Sequence, residues 1–202
     1  MKGSWNDARE WKDRITVVFS PPADPPWENV VTDAPGKSAV LVPFFAGPGG
    51  PELLFLRRSA KLRHHAGEIC FPGGMREQGD FGPVSTALRE TAEETGIQPD
   101  CVETLGILAA EYAVVSGVAV LPVVGMVTRF KPEDLDLSSG ETEGACFAGV
   151  DLFPDVPVTK TVEVRGTLHE YPEYRLENGW IIWGVTARIL RRVLESLKGG
   201  IC

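Results

Sequence analysis

The chain has 202 residues, 43% of them hydrophobic, and a formal net charge of −8. That is long and apolar enough for a single domain (1–202) with a substantial core. The negative balance excludes a field that would gather nucleic acid or an anionic membrane, so a polyanionic ligand would need a cation or local arginines. Cys70, Cys101, Cys146 and Cys202 show no CxxC or paired spacing and read as free thiols of a reducing compartment. Met1-Lys2-Gly3-Ser4-Trp5 leads into a charged segment, so no secretory leader is expected and the expected location is cytoplasmic. The longest apolar stretch, 113–127, is interrupted by Ser116, Gly117, Pro122 and Gly125 and is too short to span a bilayer.

In chain order, Ala8, Trp11, Ile15 and Val18 recur at helical spacing and predict an amphipathic helix over 7–18. Residues 20–37 hold Pro21, Pro22, Pro25, Pro26 and Pro35 and read as an extended loop, which leaves a core of about 38–194 behind an N-terminal segment of 1–37. Strands are expected at 38–45 and 52–57, joined by the Gly- and Pro-rich turn 46–51 as a hairpin. A short strand at 69–71 runs into Gly73-Gly74, where backbone can approach a partner closely. Gly82-Pro83 starts a helix and Gly96 stops it, giving 83–95. Further strands are expected at 102–110 and 118–127, with a polar, turn-rich stretch at 131–140. Val185, Ile189, Leu190, Val193, Leu194 and Leu197 mark a core helix over 185–198. Trp180 and Trp183 before it are taken as core, and His169 as structural or peripheral.

The chemistry concentrates between residues 80 and 96. Glu90, Glu93 and Glu94 lie at i, i+3 and i+4 of the predicted helix, so Glu93 and Glu94 fall about 60° and 40° to either side of Glu90. Like charges at this spacing repel by a few tenths of a kcal/mol per pair, about 0.2–0.5. A divalent cation would offset that repulsion, and hard carboxylate oxygens suit Mg²⁺ or Mn²⁺. A solvated acidic helix face would look the same in isolation, but the Gly-Gly loop and the helix boundaries around it argue for a site.

The run Gly74, Asp80, Arg89-Glu90-Thr91-Ala92-Glu93-Glu94-Thr95-Gly96 resembles the Nudix box, a loop–helix–loop metal site. The Gly74–Arg89 interval is one residue longer than the common spacing, and Thr91 stands where an aliphatic residue is usual. Either Asp80 or Glu77 supplies the upstream acid. A second block, Leu53-Leu54-Phe55-Leu56-Arg57-Arg58-Ser59 and Leu62-Arg63-His64-His65-Ala66-Gly67-Glu68, resembles the extended motif of the coenzyme A pyrophosphatase branch of Nudix hydrolases. That branch shares the one-residue expansion of the box. Leu56 replaces a usual Thr, and Glu68 replaces a usual Gln, exchanging an amide donor for an acceptor-only carboxylate.

The resemblance implies an α/β fold, the Nudix α/β/α sandwich with a mixed sheet. It implies metal-dependent hydrolysis of coenzyme A or acyl-CoA to 4′-phosphopantetheine and adenosine 3′,5′-bisphosphate. In this reading Glu90, Glu93 and Glu94 hold Mg²⁺ or Mn²⁺, Arg89 orients the carboxylates, and Arg58, Arg63, His65, Glu68, Gly73 and Gly74 meet the substrate, with His64 a surface residue. Arginines pair with phosphate oxygens in bidentate geometry. The general base falls on Glu143, with Glu141 the neighbouring candidate. The implied partner is a small nucleotide pyrophosphate; no nucleic acid or membrane partner is expected, and a homodimer agrees with the resemblance. Two other readings stand beside it: hydrolysis of a nucleotide sugar, dinucleotide or nucleoside triphosphate, and a non-catalytic nucleotide-sensing module.

Overall fold

The computed structural model describes residues 13, 15, 16, 19, 24–164 and 166–199. The helix expected over 7–18 otherwise lies outside them, although Ile15 and Phe19 are buried in the core. The central sheet is mixed and eight-stranded. Strands β1 (Gly36–Gly47) and β2 (Gly50–Arg58) form the expected hairpin, closing at Gly47 opposite Gly50. Strand β3 (Ile69–Cys70) continues beside β2, and β4 (Gly73–Met75) folds back antiparallel onto the start of β1. After helix α1 (Pro83–Thr95) come β5 (Val102–Ile107), β6 (Glu111–Ala113) and β7 (Val118–Val127). β7 runs parallel to β1 and carries β5 and β6 antiparallel. Strand β8 (Thr142–Gly149) covers the other side of β2. A separate three-stranded unit, β9 (Val158–Val164), β10 (Thr167–Arg175) and β11 (Ile181–Ile182), precedes helix α2 (Gly184–Gly199).

The layers follow from strand alternation. In β1, Ala39 and Leu41 pack with Trp27, Ala87 of α1, and Leu121 and Val123 of β7. Val42 and Phe44 point the other way, to Phe55, Val120, Val124 and the α2 stripe of Leu190, Val193, Leu194 and Leu197. With both faces covered, the central strands read as near-continuous apolar runs instead of alternating ones. Each fully buried leucine or valine of α2 contributes about 1.5–3 kcal/mol relative to exposure, so the stripe is enough to fix α2 on the sheet. The result is an α/β/α sandwich.

Helix α1 and strand β7 coincide with the expected 83–95 and 118–127, and α2 extends the expected helix by one residue at each end. The expected strand 102–110 ends at Ile107, and its tail turns into β6. Strands β8 to β10 were not foreseen. β8 contains Gly144, Ala145 and Ala148, and β9 is exposed at most positions, so neither shows a half-buried alternation.

Candidate active site

Local sequence fixes both ends of α1. Pro83 occupies the first helical position, and Gly96 takes a left-handed backbone (φ 77°) while its N–H closes on the Ala92 carbonyl. The start is capped from a distance: Asp24 accepts the N–H groups of Val84 (3.0 Å) and Ser85 (3.3 Å). A Cβ on Gly82 would stand 2.3 Å from the Asp24 carboxylate, so glycine keeps that slot open. Trp27, fully buried, donates to Thr86 Oγ1, whose hydroxyl passes a bond to Asp80. Neither Asp24 nor Trp27 carried a motif signal; a tryptophan inside a Pro-rich loop was the only hint.

The open choice of upstream acid is answered by geometry. Arg89 meets Asp80 through two parallel bonds, Nε–Oδ1 and Nη2–Oδ2, both 3.0 Å, whereas Glu77 is 3.9 Å away and exposed. Burial opposes the Asp80 charge, but the Arg89 bonds, the Glu77 N–H and the Thr86 hydroxyl outweigh it and hold the carboxyl at about 2. The same bonds raise the Arg89 guanidinium above its ordinary value. Arg89 also donates to the Met75 carbonyl and reaches Glu90 (2.9 Å) and Glu93 (3.3 Å). It therefore ties the loop after β4 to the acidic helix face.

Gly73 and Gly74 earn their places sterically. Gly73 has φ 147°, and a Cβ there would lie 2.4 Å from the Ala39 carbonyl; a Cβ on Gly74 would lie 2.4 Å from the Glu90 carboxyl. The Gly73 N–H donates to Glu94 Oε2 at 2.9 Å, and Arg58 Nη1 stands 3.8 Å from Glu94 Oε1. Burial pushes the Glu94 carboxyl up to about 7 against the Gly73 and Arg58 contacts, with Glu90 and Glu141 adding repulsion. Burial likewise raises Glu90, with Glu93 and Glu141 adding to it against Arg89. Thr91, at the usual aliphatic position, is buried without cost because its hydroxyl bonds the Ala87 carbonyl. Leu56 is fully buried beside Leu54 and Ile97, a packing position.

Glu90, Glu93 and Glu94 share one helix face as expected, but each side chain is held by a protein donor. Among the described residues no three His, Cys, Asp or Glu groups converge in an ion-binding geometry. The donor set nevertheless fits a hard divalent cation. It consists of oxygen-only ligands, two of them carrying charge that burial and neighbouring carboxylates leave poorly compensated. Arg58 Nε is buried with no hydrogen-bond partner, a donor left open beside Glu94.

The structure does not bring Glu143 to this cluster. Its carboxylate pairs with Arg57 (3.1 Å) and accepts the Ala60 N–H (3.0 Å), while Glu141 is the one whose charge is felt by Glu90 and Glu94. The cause is a bulge. β2 pairs Arg57 with Gly144 and Arg58 with Thr142, so Glu143 is the extra residue and its side chain is re-aimed. Arg57 and Arg58, consecutive in β2, serve opposite faces of the sheet by strand alternation.

Arg63, His64, His65 and Glu68 line a cavity of about 670 Å³ together with β6, the β9–β10 hairpin and the start of α2. His65 has a left-handed backbone (φ 57°), which costs a non-glycine residue about 1 kcal/mol, and its Nδ1 lies 3.0 Å from Glu68 Oε2. The loop closes on β2 where Arg58 N–H meets the Glu68 carbonyl. His169 and Trp183, expected to be structural and core, line the same cavity, and Trp183 is 37% exposed.

The sequence profile of the NUDIX domain matches residues 35–163. The chain belongs to the Nudix family. An uncharacterized Nudix hydrolase NudL from Pectobacterium atrosepticum is 37% identical over 167 residues, covering 80% of this chain and 83% of that protein. Its counterpart from Photorhabdus laumondii is 35% identical over 178 residues, covering 86% and 91%. A MutT/nudix family protein from Enterococcus faecalis matches the fold with a TM-score of 0.53 at 14% identity, over 84% of this chain and 64% of that one. Nudix hydrolases cleave pyrophosphate bonds in small nucleotide-type substrates and generally use a divalent ion such as Mg²⁺ or Mn²⁺. Helix α1 is thus the Nudix helix. Among the described residues no helix is long and apolar enough to cross a membrane.

Proposed function

We propose that the chain hydrolyses the pyrophosphate bond of coenzyme A or an acyl-CoA, giving 4′-phosphopantetheine (still acylated where the substrate was) and adenosine 3′,5′-bisphosphate. The observation that carries this reading is the contact between the basic loop and the acidic helix: Arg58 is held by the loop at Glu68 and also reaches Glu94. In this reading Arg58 is the cation that joins the basic loop to the acidic helix face. Coenzyme A carries a 3′-phosphate besides its pyrophosphate, and Arg58, Arg63 and His65 supply donors for that additional charge.

Glu90, Glu93 and Glu94 would hold Mg²⁺ or Mn²⁺, which when bound lowers the pKa of a water and neutralises charge on the attacked phosphate. Arg89 holds Glu90 and Glu93 in place from its Asp80 anchor. Gly73 and Gly74 keep the backbone low enough for a phosphate to approach. Glu141, beside Glu90 and Glu94, takes the proton-accepting role in preference to Glu143, which Arg57 occupies. Glu68 favours a second reading, a substrate with less charge, such as a nucleotide sugar. Its carboxylate is engaged by His65 Nδ1, which leaves Arg58, Arg63 and the His65 Nε2 to meet phosphate.

The test is to incubate the protein with coenzyme A, ADP-ribose and dNTPs in parallel, each with Mg²⁺ or Mn²⁺, and to separate products by chromatography. Metal-dependent release of adenosine 3′,5′-bisphosphate from coenzyme A, well above turnover of the others, is expected. Faster cleavage of another substrate would reassign the basic block.

A further inference from the structure

Resting on the reading of Glu90 and Glu93 as metal ligands, we propose that Trp27 is a positioning residue for the Nudix helix. It acts through Thr86 and Asp80 on Arg89, and so on the two carboxylates that Arg89 holds. Trp27 stands in the Pro-rich segment before β1, outside the stretch 35–163 that the NUDIX profile matches.

The connection is a series of hydrogen bonds. Trp27 Nε1 donates to Thr86 Oγ1 at 3.0 Å, and Thr86 Oγ1 donates to Asp80 Oδ2 at 2.8 Å. Asp80 grips Arg89 through its Nε and Nη2, and Arg89 reaches Glu90 at 2.9 Å and Glu93 at 3.3 Å. Chemistry fixes the direction of each bond. An indole N–H only donates, and a carboxylate held by a bidentate arginine only accepts. Thr86, placed between them, has one orientation open to its hydroxyl.

The other two buried threonines of α1 behave differently. Thr91 and Thr95 donate back along the helix to the Ala87 and Thr91 carbonyls, each at 2.6 Å. The Thr86 hydroxyl leaves the helix for Asp80 and ties that carboxylate to α1 independently of Arg89. The planar fork of the arginine follows the carboxylate it grips. A buried indole N–H needs an acceptor in any fold, and a carbonyl would serve. Here the acceptor is a hydroxyl whose own proton goes to the anchor of Arg89. Trp27 is also well seated: it is fully buried, its N–H meets the Phe81 carbonyl at 2.9 Å, its carbonyl accepts Lys37 Nζ at 3.0 Å, and Arg76 lies 5.9 Å over its ring.

The experiment measures kcat and KM for coenzyme A with Mg²⁺, and water exchange of the Arg89 Nε–H by nuclear magnetic resonance in the metal-free protein. The set is wild type, Trp27→Phe, Thr86→Val, the double variant, Thr86→Ser and Val123→Ala. Val123 is buried in the same cluster as Trp27 and has no polar group. Partners beyond the ligands typically cost about 10–100-fold, so kcat falls about 10-fold in Thr86→Val and about 5-fold in Trp27→Phe, one step further out, while KM stays within about 2-fold. The double variant remains at the Thr86→Val level, because bonds in series are lost together. Thr86→Ser keeps the hydroxyl and keeps kcat. Arg89 Nε–H exchange quickens in Trp27→Phe and Thr86→Val and is unchanged in Val123→Ala. Losses that multiply in the double variant overturn the inference. So does Trp27→Phe with wild-type kcat and exchange, or Val123→Ala losing as much kcat as Trp27→Phe. Absence of coenzyme A cleavage with the expected exchange response would remove the coenzyme A reading and retain the positioning of Arg89. Cleavage with an unresponsive Arg89 would overturn the inference alone.

Discussion

Between Gly73 and Gly96 nearly every charge has a fixed partner, whereas across the cavity, in the Arg63–Glu68 loop and the β9–β10 hairpin, most side chains stand in water. Arg89 alone reaches Asp80, Glu90, Glu93 and the Met75 carbonyl, and two glycines admit neighbours that any Cβ would displace. On the other side, Leu168 is 71% exposed, and His65 and Glu68 bond mainly to each other. Fixed partners of this kind suit reacting groups, which bond cleavage requires to be closely positioned. The second region offers a shaped but loosely determined wall.

The strongest way to break this comparison is to remove a charge from the rigid side. Glu94→Gln keeps an acceptor for the Gly73 N–H, so turnover falls by about 10³-fold or more while the fold survives. Because burial pushes Glu94 up to about 7, its charged form disfavours the fold at pH 8, and the variant melts no lower than wild type there. A melting curve beside the activity assay checks both halves. Gly74→Ala displaces the Glu90 carboxyl and lowers kcat by about 10²-fold, with little change in circular dichroism. Asp80 gives a pH signature. Held at about 2 from an ordinary 3.8, it contributes stability that is fully present above about pH 4 and lost as pH falls toward 2. That increment is roughly 2 kcal/mol, so urea midpoints between pH 5 and 2 drop more steeply in wild type than in Asp80→Asn.

A smaller effect separates the two glutamates at the start of β8: Glu141→Gln lowers kcat by about 10-fold or more, and Glu143→Gln changes it by about 2-fold or less. Equal losses would mean that the bulge does not decide their roles. Smallest of all, Leu168→Ser on the hairpin shifts stability by about 0.5 kcal/mol or less. A larger shift would show that the exposed wall bears structure after all.

What could be read in advance was whatever the chain encodes locally. Gly82-Pro83 and Gly96 bound the Nudix helix because glycine and proline limit backbone choice at single positions. The face shared by Glu90, Glu93 and Glu94 is a matter of helical period alone. Glu143 shows where such reasoning ends: a bulge in the pairing of β2 with β8 aims it at Arg57, and pairing register is a property of two strands. Core is the usual place of a tryptophan, yet Trp183 lies at the cavity wall, its ring 5.8 Å from that of Tyr171 of β10. His169 reaches that wall only because β9 and β10 pair, a contact with no trace in local composition.

The parallel pairing of β1 with β7 also sets an order of events during folding. Ala39 lies opposite Leu121, with β2 to β6 and the Nudix helix in between. Non-local parallel contacts form slowly because loop-closure entropy is lost before any pairing compensates it. The Asp80–Arg89 bonds span few residues and can form early, but Gly73 meets Val40 only when β1 is seated in the sheet. On refolding, helical signal therefore returns ahead of activity, and the interval between them measures the time taken to close the sheet.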